Sequence, residues 1–585
     1  MRRVVLFLVI IFTALGVACA PGTDTAATPT STSEPPTATT VPPTATVAPP
    51  TATPLPPTAT PEPTPTPAPI IEGTAGFPWW NDTVFYEIFV RSFYDSDGDG
   101  VGDINGLIEK LDYLNDGDPA TTDDLGITGI WLMPIMESPS YHGYDVEDYY
   151  QIDEEYGTSE DFARLIEEAH QRGIKVIVDL VINHTSRTHP WFQESQAKES
   201  EFRDWYIWEE SDPGYTGPDG QKVWHGTPYG YYYGIFCDCM PDLDFNNPEV
   251  TEAIYEITRY WLEDVGVDGF RMDAIKHLIE NEKQQEFTGA THEWFQDFYQ
   301  FYKGINPNAF VVGEAWGPPQ QSVKFVSDEV DIVFEFDLAE ATISSVRNGS
   351  KSAAGQAMRR TLDIYPPGQF AAFLRNHDMD RTLSALDGNE NKARTAATLL
   401  LTSPGVPFIY YGEEIGQQGV RQGNTDENRR LPMQWDDTPG TAGFTTGTPW
   451  KAPFEDYPER NVALQDPDPA SLLSHYRQLI DIRMANDALR VGEFTFVDSN
   501  SGGVAAYLRH TEDNVLLVLV NLGAKPIEDY HLSLEESALV GPLVAEALLG
   551  AEPVVAPELN AAGGFSEYKP VEVLEPYANH IIRLK

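Results

Sequence analysis

The chain is poor in cysteine, in positive charge and in long apolar runs. Its three cysteines in 585 residues exclude a disulfide framework as the source of stability. Against 90 Asp plus Glu it carries only 38 Lys plus Arg, a formal net charge of -52. Such a surface repels phosphate backbones and anionic lipid, which argues against a nucleic-acid partner and suits a neutral substrate such as a sugar. The N-terminal apolar run, Val4 to Val17, is shorter than a membrane span. Basic residues precede it and small ones follow, the order of an export signal.

Cys19, after Val17-Ala18, resembles the acylated cysteine of bacterial lipoproteins, although Gly16 stands where that pattern prefers Leu. Residues 1–19 then form a lipoprotein-type signal, and the expected location is extracellular, tethered at the cell surface. Simple secretion with cleavage nearby is the alternative. From 20 to 76 the sequence is dominated by Thr, Pro and Ala. It lacks the apolar surface needed to fold and reads as a disordered linker. Cys237 and Cys239, in FCDCMPD, are too few for a zinc site and read as loop thiols, oxidised outside the cell, without a catalytic role.

From Phe77 onward strand-like and helix-like segments alternate. Apolar strands are expected at 84–93, 126–135, 173–184, 266–273, 310–316, 330–338, 369–378 and 407–416. Helical patterns such as EDFARLIEEAHQR and TEAIYEITRYWLEDV lie between them. Eight such units imply an α/β fold, a (β/α)8 TIM barrel, over 77–489. The stretch of about 185–245, rich in aromatics and glycine, is too long for an ordinary loop and reads as an inserted domain after strand three. SLLSHYRQLIDIRMANDAL reads as the last barrel helix, and 490–585 as a C-terminal all-β sandwich.

Polar residues gather where these strands end. In GVDGFRMDAIKH, Asp273 follows Arg271 by two, so both side chains share one face of a strand. An Arg in that position keeps the carboxylate ionised and oriented, as a nucleophile requires. Glu314 ends a second apolar run in FVVGEAW, and His377-Asp378 a third in FLRNHD. Three carboxylates at three strand ends fit glycosidic bond cleavage. In DSDGDGVGD, Asp95, Asp97, Asp99 and Asp103 alternate, with the Val101 carbonyl free between them. That spacing matches an EF-hand loop with Gly100 at its sharp turn, although Gly106 replaces the bidentate Glu, and it predicts Ca2+.

Seven motifs in order, GITGIWLMP, DLVINH, MPDLD, GFRMDAIKH, VVGEAW, FLRNHD and GVPFIYYGEE, resemble those of the α-amylase family, glycoside hydrolase family 13. The resemblance implies Asp273 as nucleophile, Glu314 as general acid/base and Asp378 as transition-state stabiliser. It implies sugar contacts from Arg271, His184, His377, His142 and the aromatic platform Tyr144, and a leaving-group side lined by Lys276 and His277. A second calcium site is implied at Asn183, Asp242 and a backbone oxygen of His277.

Subfamily features point two ways. Ala274 with Lys276-His277 resembles α-1,4-acting amylases, since α-1,6-cleaving members often carry Val after the nucleophile. Asp145 and Arg430, the latter in NRRLPMQWDD, resemble the pair that clasps a terminal glucose in oligosaccharide-cleaving members. MPDLD falls between the groups, with Asp244 where intermediate amylases carry Asn. The expected activity is that of an intermediate-type α-amylase, a monomer acting on starch and maltooligosaccharides through an open groove. An exo-acting α-glucosidase, a trehalose-synthase-like isomerase and a non-catalytic glucan-binding lipoprotein are the alternatives.

Overall fold

The computed structural model describes residues 70–281, 283–423 and 425–585; the proposed signal, Cys19 and most of the Thr/Pro-rich segment lie outside the described residues. Eight parallel strands make up the central sheet. In chain order they are β1 (Phe85–Ile88), β2 (Gly129–Leu132), β3 (Lys175–Leu180), β4 (Gly269–Met272), β5 (Phe310–Gly313), β6 (Ile332–Val333), β7 (Ala371–Phe373) and β8 (Val406–Tyr410). β8 pairs with β1 and β7, and a parallel bridge from Phe334 to Ala371 joins β6 to β7 and closes the barrel.

Each strand is shorter than its apolar run, because residues at the ends of the run leave the ladder. The run at 330–338 departs furthest. Its strand keeps two residues, and from Phe336 the chain is helical to Asn348, because the Glu335 side chain accepts the Leu338 N–H as an N-cap. The expected helix 251–265 is α-helical over Pro248–Arg259 and π-helical over Tyr260–Val265. The last barrel helix runs Leu472–Met484, and a separate turn follows at Asp487–Arg490.

The barrel interior is filled from below by stacked aromatic rings. Phe85 lies 4.6 Å from Phe408 and 5.2 Å from Phe310, and Trp80 stacks on Phe310 at 5.1 Å. Above them Phe334 packs against Phe408 and Trp131, and Trp131 meets His377 edge-on. Gly269 admits this packing: its φ is +152°, and a Cβ there would lie 1.8 Å from the Phe310 carbonyl oxygen.

Order begins before the expected linker end at 76. Ile71 N–H donates to the Asn308 side chain at 2.7 Å, and Glu72 bridges to Pro78. This N-terminal strap meets the loop preceding β5, at the end of the barrel opposite the mouth. Between β3 and β4 the insertion carries the helix Pro190–Ser195 and a three-stranded antiparallel sheet of Trp208–Glu209, Gly230–Tyr233 and Trp224–Thr227. The C-terminal domain is all-β, with a five-stranded and a three-stranded sheet. Among the described residues no helix is long and apolar enough to cross a membrane.

Candidate active site

Side chains two residues apart along an extended chain point the same way, so Arg271 on β4 and Asp273 just past its end, Val312 on β5 and Glu314 just past its end, and Ile177 and Asp179 on β3 all turn inward. Register aligns Asp179 with Arg271 and Arg271 with Val312. One fully buried guanidinium therefore meets three carboxylates. Arg271 donates to Asp179 at 2.9 Å, to Asp273 at 2.7 Å and to Glu314 at 2.6 Å. Burial raises Glu314, and the nearby Asp273 and Asp378 add to this against the pull of Arg271. Burial likewise pushes Asp179 up to about 7, with Asp273 adding to the rise.

A second charged chain crosses the mouth. His377 Nδ1 lies 2.5 Å from Glu87 and Nε2 lies 3.2 Å from Asp378. Burial disfavours the imidazolium, but Asp378 and Glu87 outweigh it and raise His377 to about 9. Arg430 approaches Asp378 from the other side at 2.7 Å. Burial works against ionisation of Asp378, yet His377 and Arg430 hold it well below the usual carboxylate range. Tyr144 ties the two chains together: its ring stacks on His377, and its hydroxyl reaches Asp179 at 2.9 Å and His377 Nε2 at 2.8 Å.

The other expected sugar-site residues surround this core. His184 meets the Tyr144 carbonyl at 3.0 Å through Nε2, His142 Nδ1 accepts the Tyr144 N–H at 3.1 Å, and His277 Nδ1 lies 2.8 Å from the Gln285 carbonyl. Burial lowers all three histidines to about 4. Lys276 pairs with Glu286 at 3.0 Å. Asp145 and Arg430 do not pair with each other among the described residues. Asp145 accepts from Ser138 and Ser140 and stands 3.7 Å from His142, whereas Arg430 is committed to Asp378.

Both acidic loops can be tested for a cation. Asp95, Asp97 and Asp99 each bring an oxygen within 4.8 Å of the others. Asp103 is drawn off to cap the helix Ile104–Glu109, accepting from Gly106 N–H and from Ser96. The Val101 N–H donates to Asp99. At the second site Asn183 Oδ1 and Asp242 Oδ2 are buried without a hydrogen-bond partner, and so is Glu280 Oε1. Burial raises Asp242 to about 8 and raises Glu280, which Asp242 pushes further. Buried, unpartnered acceptor oxygens on Asn183, Asp242 and Glu280 fit a hard cation.

Sequence reasoning missed Glu87, Asp179 and Glu280. The signal for the first two was present: each is a lone acid inside an apolar run, VFYEIFV and KVIVDLV. Cys237 and Cys239 form a disulfide, so the expected loop thiols are oxidised.

A closed barrel with a buried arginine, three acids and a carboxylate–imidazole chain at its mouth defines a glycoside hydrolase. Residues 87–492 match the alpha amylase catalytic domain, and the chain belongs to the alpha-amylase family. It is 40% identical to alpha-amylase 3 of Dictyoglomus thermophilum over 76% of this chain and 85% of that protein. It is 32% identical to the oligo-1,6-glucosidase of Parageobacillus thermoglucosidasius, over 76% and 91% respectively. The crystal structure of the alpha-amylase from H. orenii superposes with a TM-score of 0.76 at 40% identity, covering 86% of this chain and 99% of that one.

The His377 shift has a pH consequence. Its folded pKa, about 9, lies above the unfolded value of about 6.5. Its contribution is therefore fully present below pH ~6.5 and lost as pH rises through about 9, at most about 3 kcal/mol. Urea denaturation at several pH values should show the wild type weakening across that window and His377→Asn showing a flatter profile. Equal slopes in the two proteins would refute the assignment.

Proposed function

We infer that the protein is a retaining α-1,4-glucan hydrolase that attacks starch and maltooligosaccharides, with Asp273 as nucleophile and Glu314 as general acid/base. The observation that carries this is the single Arg271 guanidinium reaching both carboxylates. It keeps Asp273 oriented for attack on the anomeric carbon, while burial and two neighbouring acids favour a protonated Glu314 facing the leaving oxygen. Proton donation by Glu314 and attack by Asp273 give a covalent glycosyl-enzyme. Glu314, then ionised, takes a proton from the water that releases the sugar. Asp378, held ionised by His377 and Arg430, binds sugar hydroxyls more tightly as the ring flattens toward an oxocarbenium ion.

Two aromatic rings support a glucan substrate. Trp316, two residues beyond Glu314, is 63% exposed and stacks on Phe336, leaving its outer face free for a sugar on the leaving-group side. Tyr144 supplies the platform on the other side. The leaving-group side formed by Ala274, Lys276 and His277, together with His142, favours an open groove and internal cleavage. Exo-attack is the second reading, and the likeness to an oligo-1,6-glucosidase is the observation in its favour. Secretion and surface tethering through Cys19 complete the proposal.

Calcium is the proposed cofactor. Asn183, Asp242 and Glu280 would hold one ion between the inserted domain and β3, and Asp95, Asp97 and Asp99 another behind β1. Bound there, calcium neutralises buried acid and fixes the loops that carry His184 and His277; no step of the chemistry passes through it.

Asp273→Ala and Glu314→Ala should each lower kcat/KM on soluble starch at least about a thousandfold, roughly 4 kcal/mol, with unfolding temperature within a few degrees of wild type. Activity above a few per cent in either variant refutes the roles. Maltoheptaose blocked at its non-reducing end distinguishes the groove readings. Ready cleavage is expected, and complete resistance would establish exo-attack. Chelation should lower the unfolding temperature of the wild type more than that of Asp242→Asn/Glu280→Gln, read by calorimetry. An equal drop in both would remove the second calcium site.

A further inference from the structure

Within the inserted domain one short segment joins an exposed ring at the barrel mouth, a disulfide and a buried carboxylate. The strand Gly230–Tyr233 ends just before it, and Gly234 to Met240 contain neither strand nor helix. Phe236 is 45% exposed, yet its ring is held edge-on by two buried imidazoles, His184 at 5.2 Å and His277 at 5.8 Å. Those histidines lie at the ends of β3 and β4, on the two sides of the proposed scissile bond. The open face of Phe236 is thus placed to receive the apolar face of a sugar ring at that junction.

The next residue is one half of the disulfide. Cys237–Cys239 closes a loop with a single residue between its ends. So short a loop constrains the unfolded chain little, and its effect is local. The turn is pinned by few other contacts. Cys239 C=O accepts the Arg187 N–H at 2.8 Å, and Cys237 C=O accepts the Met240 N–H at 3.4 Å. The Tyr232 hydroxyl donates to Asp238 C=O at 2.6 Å. On the other flank of Phe236, Ile235 N–H donates to Asp242 at 3.1 Å. Cys239 is exposed and Cys237 half-buried, so a small thiol reaches the bond from solvent.

We propose that the Cys237–Cys239 disulfide is a redox-sensitive brace that positions Phe236 over the scissile junction, making the grip on glucan depend on the oxidation state of this pair. This rests on the glucan-cleaving reading above. The switching step is exchange with an external dithiol. One of its thiolates attacks a cysteine sulfur, the S–S bond breaks to a mixed disulfide, and the second thiol displaces the remaining cysteine. Two electrons and two protons pass from the dithiol to the pair, leaving two cysteine thiols and an oxidised dithiol. Once freed, the turn no longer fixes the direction in which the chain leaves Phe236.

The test compares kcat and KM for maltoheptaose, and amide hydrogen exchange over 234–243, in five forms of the full chain. These are the oxidised protein, the protein treated with dithiothreitol, Cys237→Ser/Cys239→Ser, Phe236→Ala, and the triple variant. Reduction or double substitution is expected to raise KM five- to tenfold with kcat within twofold, and reoxidation of the wild type to restore it. Exchange should quicken at least tenfold in 234–243 and stay unchanged in the barrel strands. Phe236→Ala should raise KM similarly, and the triple variant should be no worse, because brace and ring act as one unit. A KM within twofold after reduction overturns the proposal, as does a triple variant showing the product of the separate effects. If the Ser variant does not fold, the reduced wild type carries the comparison. If the oxidised protein fails to cleave maltoheptaose, the proposed activity falls. The brace is then decided by exchange alone, and unchanged protection after reduction overturns it.

Discussion

The barrel mouth depends on one buried cation. Arg271 is 0% exposed and shared among Asp179, Asp273 and Glu314. Removing it would leave three acids facing one another in a poorly solvated cavity, which is strongly destabilising, about 3–5 kcal/mol for a broken buried pair. Lysine is no substitute, since a single ammonium lacks the planar fork that divides among several oxygens. The arginine also makes register matter. A slip of one residue between β3 and β4 would turn either Asp179 or Arg271 out of the barrel, and the cluster would not form.

Around that cation, neighbouring carboxyl groups are driven to opposite states. Asp378 lies between His377 and Arg430 and stays ionised, whereas Glu314 shares one cation with two other acids and is pushed toward protonation. Such divergence is what acid and base roles require of neighbouring carboxylates. The geometry rests on the aromatic column beneath. Trp131 packs against Phe334 below and His377 above, while its indole N–H donates to Asp179 at 3.3 Å. A rigid apolar floor thus fixes both charged chains and excludes water from their lower side.

What the sequence made legible was local. The eight units were readable because apolar runs and amphipathic helices alternate, and Asp273, Glu314 and Asp378 because each ends such a run. The overlong strand at 330–338 shows the limit. FEFDL is apolar enough for either state, and the Glu335 cap that decides for helix is a contact visible only once folded. Glu87, Asp179 and Glu280 escaped because their meaning comes from partners far along the chain: His377, Arg271 and Asp242. Asp103 has a local partnership that its alternating spacing does not reveal: its oxygens accept from Gly106 N–H and from Ser96 at the helix start. The C-x-C pair was recognised, while the packing of its neighbour Phe236 against His184 and His277 became visible only once the insertion folded.

The same long-range logic bears on how the groove meets its substrate. The Arg430 guanidinium reaches the His377 carbonyl through Nε and Asp378 through Nη2. Those bonds use two of its three nitrogens, so the fork holds Asp378 and keeps further N–H groups for the groove. Asp145 likewise receives Ser138 and Ser140 on one oxygen, Oδ1, and keeps its other oxygen for a hydroxyl. Holding the ionised Asp378 in place and meeting a sugar are therefore compatible in one residue, which an ammonium with a single nitrogen would not achieve.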